Sequence, residues 1–84
     1  MHAEELRAAL GEIPFRPFRL HFSSGRVVEI VSPDLVVVSG TGRTAFAYRY
    51  ASDAFDIIDL GLVESIEYPD GSKRQASKRR RRSA

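Results

Sequence analysis

Phe18-Arg19-Leu20-His21-Phe22, then Ser23-Ser24-Gly25, then Val27-Val28-Glu29-Ile30-Val31 is the stretch that decides how this chain folds. Phe18, Leu20 and Phe22 alternate with Arg19 and His21, a period of two that gives an extended strand one apolar face. Ser23-Ser24-Gly25 supplies the hairpin turn, with Gly25 free to take a positive φ at no steric cost. The return strand places Val28 and Ile30 inward and Glu29 outward. An antiparallel hairpin near the start of the chain follows directly.

Working backwards, Pro14-Phe15-Arg16-Pro17-Phe18 leads into that hairpin. Its two prolines fix φ and remove two backbone donors, so the segment suits an extended lead-in or an edge position. Residues 3–10 read as a short amphipathic helix, with Leu6, Leu10 and Ile13 spaced for one face and Glu4 and Glu5 in the first turn. Gly11 is placed to end it and Pro14 bars its continuation. Two turns do not hold alone in water, so this helix needs a surface to dock on.

Working forwards, Ser32-Pro33-Asp34 breaks the run before Leu35-Val36-Val37-Val38, four branched apolar residues that read as a strand covered on both faces. Gly40-Thr41-Gly42 forms a second turn, and Thr44, Phe46, Tyr48 and Tyr50 alternate with Arg43, Ala45, Ala47 and Arg49. Residues 52–60 fit two patterns. Ser52 would cap a helix with Phe55, Ile58 and Leu62 on one face, whereas the β-branched pair Ile57-Ile58 and the short length favour a strand, the reading taken here. Ser65-Ile66-Glu67-Tyr68 forms a final strand before Pro69-Asp70-Gly71. The fold class expected is α+β and mainly β: one short helix and a strongly bent antiparallel sheet of five or six short strands, in the manner of an SH3-like or Sm-like barrel. Closing such a small sheet, or self-association into a homo-oligomer, would help to stabilise it.

Charge divides the chain. Residues 73–84 hold Lys73, Arg74, Lys78, Arg79, Arg80, Arg81 and Arg82 and no acid, a charge of +7. Residues 1–72 keep six basic side chains against all eleven acidic ones, a charge of −5. The expected organisation is a single small domain over 1–72 and a disordered basic tail over 73–84, because an arginine run without large apolar residues cannot pack a core. With 84 residues there is room for one domain. The absence of cysteine excludes disulfides, thiolate metal sites and a cysteine nucleophile. No apolar run approaches the roughly 18 residues of a membrane span, and Met1-His2-Ala3-Glu4-Glu5 lacks the pattern of a secretory signal. A cytoplasmic protein with no membrane contact is expected.

Constellations with chemical potential are few. His21, Ser23 and Glu29 are the one assembly with a nucleophile, a base and a carboxylate, but His21 lies opposite the apolar face, as a solvated strand residue does. Asp53, Asp56 and Asp59 lack the ligand spacing and turn glycine of a calcium loop and read as a solubilising face, although on a strand Asp56 faces away from the other two. Ser39-Gly40-Thr41-Gly42-Arg43-Thr44 precedes a strand, not a helix, so it is a hairpin turn and not a phosphate cradle. Phe46, Tyr48 and Tyr50 between Arg43 and Arg49 carry the logic of a single-strand binding surface, stacking bases and holding phosphates. A domain this small needs that stripe in its core, and the core reading is preferred, with Tyr50 the most exposed of the three.

Pro14-Phe15-Arg16-Pro17-Phe18-Arg19-Leu20-His21 and Ser24-Gly25-Arg26, preceded by the helix, resemble a group of short uncharacterised bacterial proteins. These share an amphipathic helix, a PFRPFR lead-in, a strand and a DGR-type turn, and the likeness covers most of residues 4–68. Ser24 departs from that pattern, standing where the group has an acid. The resemblance implies a fold and no activity. A more distant likeness is to the Sm-like fold, through the helix, a first strand ending in a polar-glycine turn, a bent second strand, and Ile57-Ile58-Asp59-Leu60 and Ser65-Ile66-Glu67-Tyr68 as closing strands. Gly61-Leu62-Val63-Glu64 lacks the lysine-histidine pair that would meet RNA, which counts against a shared RNA mechanism.

The function expected is a non-catalytic binding module, with no cofactor and no metal, whose basic tail makes non-specific nucleic-acid contact. Its candidate contacts are Lys73, Arg74, Lys78 and Arg79 to Arg82 in the tail, and Arg43, Arg49 and Tyr50 on the body. The alternative is a protein-interaction or assembly subunit that uses the helix, the Pro14–Phe18 segment or an edge strand, the tail being incidental.

Overall fold

A computed structural model describes residues 1–71 and 73–75. The first element is α1, Ala3–Leu10, at the bounds the sequence gives. The backbone N–H of His2 donates to Glu5 Oε1 at 2.8 Å, and Gly11 N–H closes the last turn on the carbonyls of Arg7 and Ala8. Leu6 and Ala9 are buried, and Met1 packs beside them in the same core. Ile13 does not join this face as expected, and is 97% exposed. The helix ends at Leu10, so helical spacing no longer governs residue 13, and Ala9 fills the core position instead.

The decisive hairpin forms as read. Strand β1, Phe18–Phe22, pairs antiparallel with β2, Val27–Ile30, with Leu20 opposite Val28 and Phe18 opposite Ile30. Gly25 makes the turn at φ 93°. Phe18, Leu20, Phe22, Val28 and Ile30 are all buried, while Arg19 and Glu29 face solvent. On its other flank β1 pairs with β6, Val63–Glu67, and the register shifts between His21 and Phe22.

Beyond β6 the chain turns back on itself. Tyr68 to Gly71 form a turn closed by Gly71 N–H on the Tyr68 carbonyl, and Lys73–Gln75 returns as β7, antiparallel to β6. Lys73–Gln75, which the sequence reading puts at the start of the basic tail, is thus a strand paired to β6. The reason lies in the backbone: without β7, the outer N–H and C=O groups of β6 would form an open edge. Residues 76–84, and with them Lys78, Arg79, Arg80, Arg81 and Arg82, lie outside the described residues.

A second sheet holds β3, Val36–Val38, β4, Thr44–Tyr48, and β5, Phe55–Asp59, in the order β3-β4-β5; the first is ordered β2-β1-β6-β7. The 52–60 stretch is thus a strand and not a helix. Two short 3-10 turns join the sheets. Pro33–Leu35 follows β2, where Ser32 Oγ accepts from the Asp34 N–H, and Leu60–Leu62 follows β5, where Asp59 Oδ1 accepts from the Gly61 N–H. The architecture is α+β and mainly β. It is two sheets rather than one closed barrel, because the chain leaves pleated geometry at both joins. Among the described residues no helix is long and apolar enough to cross a membrane.

Candidate functional site

In the second sheet, burial reverses the expectation for the aromatic stripe. Ala45 and Ala47 face the core at 0% and 2% exposure, while Phe46 and Tyr48 stand outward at 38% and 50%. Register carries the pattern across all three strands. Val37, Phe46 and Ile57 form one outward row, and Tyr48 and Phe55 form the next. Val37, Phe55 and Ile57 are each about half exposed (58%, 49% and 57%), so β3 is not covered on both faces either. The cause is volume. The inner side already holds Leu6, Phe18, Leu20, Ile30, Ile58, Leu60 and Ile66, all fully buried, and close packing leaves room for alanine there but not for a second aromatic layer.

These outward side chains support one another. The Phe46 and Phe55 rings stack at 6.1 Å between centroids, and Tyr48 tilts against Phe55 at 5.8 Å. Cross-strand aromatic pairs of this kind fix the side chains before any ligand arrives. Tyr50, past the end of β4, is the most exposed of the tyrosines, as expected. Thr44 and Asp59 pair at the opposite end of the face.

Arg49 and Arg26, at the Tyr48 end, are engaged with Asp56. Arg49 grips Asp56 with two nitrogens, Nε to Oδ2 at 3.2 Å and Nη2 to Oδ1 at 2.9 Å. Arg26, at the start of β2, adds Nη2 to the same Oδ1 at 2.9 Å and reaches the Ile57 carbonyl with Nη1 at 3.4 Å. The cluster bridges the two sheets beside a cleft of about 390 Å³ lined by Val27, Val28, Glu29, Val31, Arg49, Tyr50 and Asp56. The Arg49 hydrogen bond, helped by Arg26, holds the Asp56 carboxyl below its usual range despite partial burial, and Asp56 in turn raises the Arg49 guanidinium. Asp56 faces away from Asp59, as the strand alternation requires, but it does not serve as a solubilising group: it points inward and anchors two guanidinium groups.

The other candidates fall apart in space or take structural roles. Arg43 precedes β4 and is exposed, its carbonyl accepting from the Leu60 N–H at 2.9 Å. Lys73 and Arg74 lie in β7, away from the β4 end that carries Arg49 and Tyr50. Residues 39–44 form the hairpin turn expected, with Ser39 N–H on the Thr44 carbonyl. Gly42 there has φ 75°, and a Cβ on it would sit 3.2 Å from Ala3 Cβ, so glycine lets the turn lie close against α1.

His21 is half-buried and its Nε2 lies 2.6 Å from Glu67 Oε1, with Arg19 Nη1 3.8 Å from the same oxygen. Its carboxylate is therefore Glu67 on β6 and not Glu29, which stands across from Arg19 on β2. Nothing in the sequence pairs residues 21 and 67. The link needs the β1–β6 register, a contact between distant parts of the chain. The outward row Val37-Phe46-Ile57 was missed for the same reason, although alternate apolar residues on both faces of 44–48 carried a trace of it.

No family model, no curated protein and no solved structure matches the chain.

Proposed function

We propose that this protein is a non-catalytic interaction module that binds protein through the outer face of β3-β4-β5. The observation that carries the reading is the inverted sheet: Val37, Phe46, Tyr48, Phe55 and Ile57 meet solvent while Ala45 and Ala47 take the core. Soluble monomers seldom expose a contiguous apolar patch larger than a few hundred Å², and such patches mark binding surfaces. The face mixes aliphatic and aromatic groups and has its nearby guanidinium, Arg49, already paired, so it fits an apolar protein surface better than a phosphate backbone. In this reading the contact is a sheet face, whereas the sequence offered the helix, the Pro14–Phe18 segment or an edge strand.

A photoreactive side chain at Ile57, in the protein as expressed in cells, tests the reading. A discrete protein adduct that is absent when the probe sits at Glu64 supports it, and equal or no labelling at the two sites overturns it.

The charge division favours a second contact, to nucleic acid, through the tail. Removing residues 76–84 preserves β7 and deletes five cations, Lys78 and Arg79 to Arg82. The salt slope of binding to duplex DNA should then fall by about 4 to 5, at about 0.9 per phosphate neutralised. An unchanged slope removes this contact.

A further inference from the structure

We propose that the open edge of β2, one wall of the cleft beside Asp56, binds an extended acidic peptide segment of another protein as an added strand. This contact is separate from the β3-β4-β5 face, and either one can fail while the other stands.

Register shows which backbone groups the edge offers. The Phe22 N–H donates to the Arg26 carbonyl at 2.9 Å, which makes these two residues a hydrogen-bonded pair. Hydrogen-bonded and non-hydrogen-bonded pairs alternate along an antiparallel ladder. Leu20 lies opposite Val28 and Phe18 opposite Ile30, so Val28 and Ile30 turn their N–H and C=O groups toward β1. Val27 and Glu29 turn theirs away from it. β2 is the outermost strand of its sheet, so these groups face no neighbouring strand. Each of the two residues presents a donor and an acceptor, the arrangement that strand addition uses.

The other outer strands are better protected. β3 and β7 have three residues each, and short edges resist the addition of a strand. The edge of β5 carries the Arg26 guanidinium, whose Nη1 donates to the Ile57 carbonyl at 3.4 Å. Beside β2, by contrast, there is room. The cleft of about 390 Å³ falls within the size range of ligand sites, with Val27, Val28, Glu29 and Val31 on one side and Arg49, Tyr50 and Asp56 on the other. From residue 27 to residue 31 an extended chain covers about 13 Å, enough for a segment of about four residues alongside.

Charge selects an acidic occupant. A guanidinium carries five N–H groups. Arg49 spends Nε and Nη2 on Asp56, and Arg26 spends Nη2 on Asp56 and Nη1 on the Ile57 carbonyl, which leaves N–H groups on both. The Arg49 and Arg26 side chains are 60% and 43% exposed against 11% for Asp56, so this side of the cleft presents positive charge. A carboxylate on the bound segment takes the remaining donors without displacing Asp56. Glu29, the acid on the β2 side, stands across from Arg19. Tyr50, 76% exposed, adds an aromatic ring of the kind that anchors protein contacts.

The probe is a displayed library of random peptides about ten residues long, panned on the full chain at moderate salt, where tail electrostatics are screened. Selected peptides should carry a carboxylate and bind Glu29→Ala, which keeps the N–H at 29, nearly as well as wild type. Glu29→Pro removes that N–H and spares the β1 ladder, because proline is tolerated where an edge strand turns its N–H to solvent. It should weaken binding at least about tenfold, the loss of one hydrogen bond shielded from water. Equal binding by Glu29→Pro, selected peptides without an acidic residue, or a library that yields no ligand overturns the proposal. If Glu29→Pro does not fold, amide hydrogen exchange of wild type decides. The Val27 and Glu29 amides should slow at least about tenfold when peptide is added, while Val28 and Ile30 are protected with and without it. Unchanged exchange at 27 and 29 overturns the proposal. So does protection that needs no peptide and rises with protein concentration, which would assign the edge to a second copy.

Discussion

The two sheets obey opposite rules with the same residue alphabet. In the first, β1 and β2 put Phe18, Leu20, Phe22, Val28 and Ile30 inside and leave Arg19 and Glu29 in water. In the second, β4 puts its smallest side chains inside and its largest outside. The difference teaches that alternation establishes two faces without saying which is buried. Where one face is polar, the hydrophobic effect chooses. Where both are apolar, the choice falls to the space left by the rest of the core, and here that space accepts only alanine.

The comparison breaks most visibly in the first sheet. Leu20 is fully buried at the centre of β1, and Leu20→Ala should cost about 2–5 kcal/mol through lost burial and a residual cavity. Ile57→Ala in the second sheet, measured where the chain is monomeric, should cost about 0.5 kcal/mol, as at other solvent-facing positions. Urea midpoints for the two variants measure the contrast, and equal losses would mean that the outer face is packed after all. A smaller effect sharpens the volume argument. Ala47→Leu adds bulk where Ala47 is 2% exposed, and should destabilise by about 1–3 kcal/mol although it adds apolar surface to an apolar face. A gain in stability would show unfilled space beneath β4.

The join between the sheets gives the smallest effect and a pH dependence. Asp56→Asn keeps the shape but removes the charge that Arg49 and Arg26 share, and should cost about 1 kcal/mol at neutral pH, because both guanidinium groups are well exposed. The folded-state carboxyl titrates below its unfolded counterpart. Its contribution is therefore full above about pH 4, where the unfolded carboxyl is ionised, and is lost as pH falls through the depressed folded value. Stability curves of wild type and Asp56→Asn should converge on acidification below about pH 4. A constant gap would assign the loss to packing.

What the sequence determined by itself is local. Helix α1, the Gly25 hairpin, the strand at 55–59 and the glycine turn before β4 all follow from interactions within a few residues: capping, turn conformation and an alternation with one polar face. What only the tertiary structure decided depends on contacts between distant segments. The register of β6 on β1 brought Glu67 to His21, the pairing of β7 to β6 made a strand of Lys73–Gln75, and the crowded core turned Phe46 and Tyr48 outward. Local rules carry no information about how much volume remains once the other strands have packed, and that volume is what turned the aromatic face of the second sheet toward solvent.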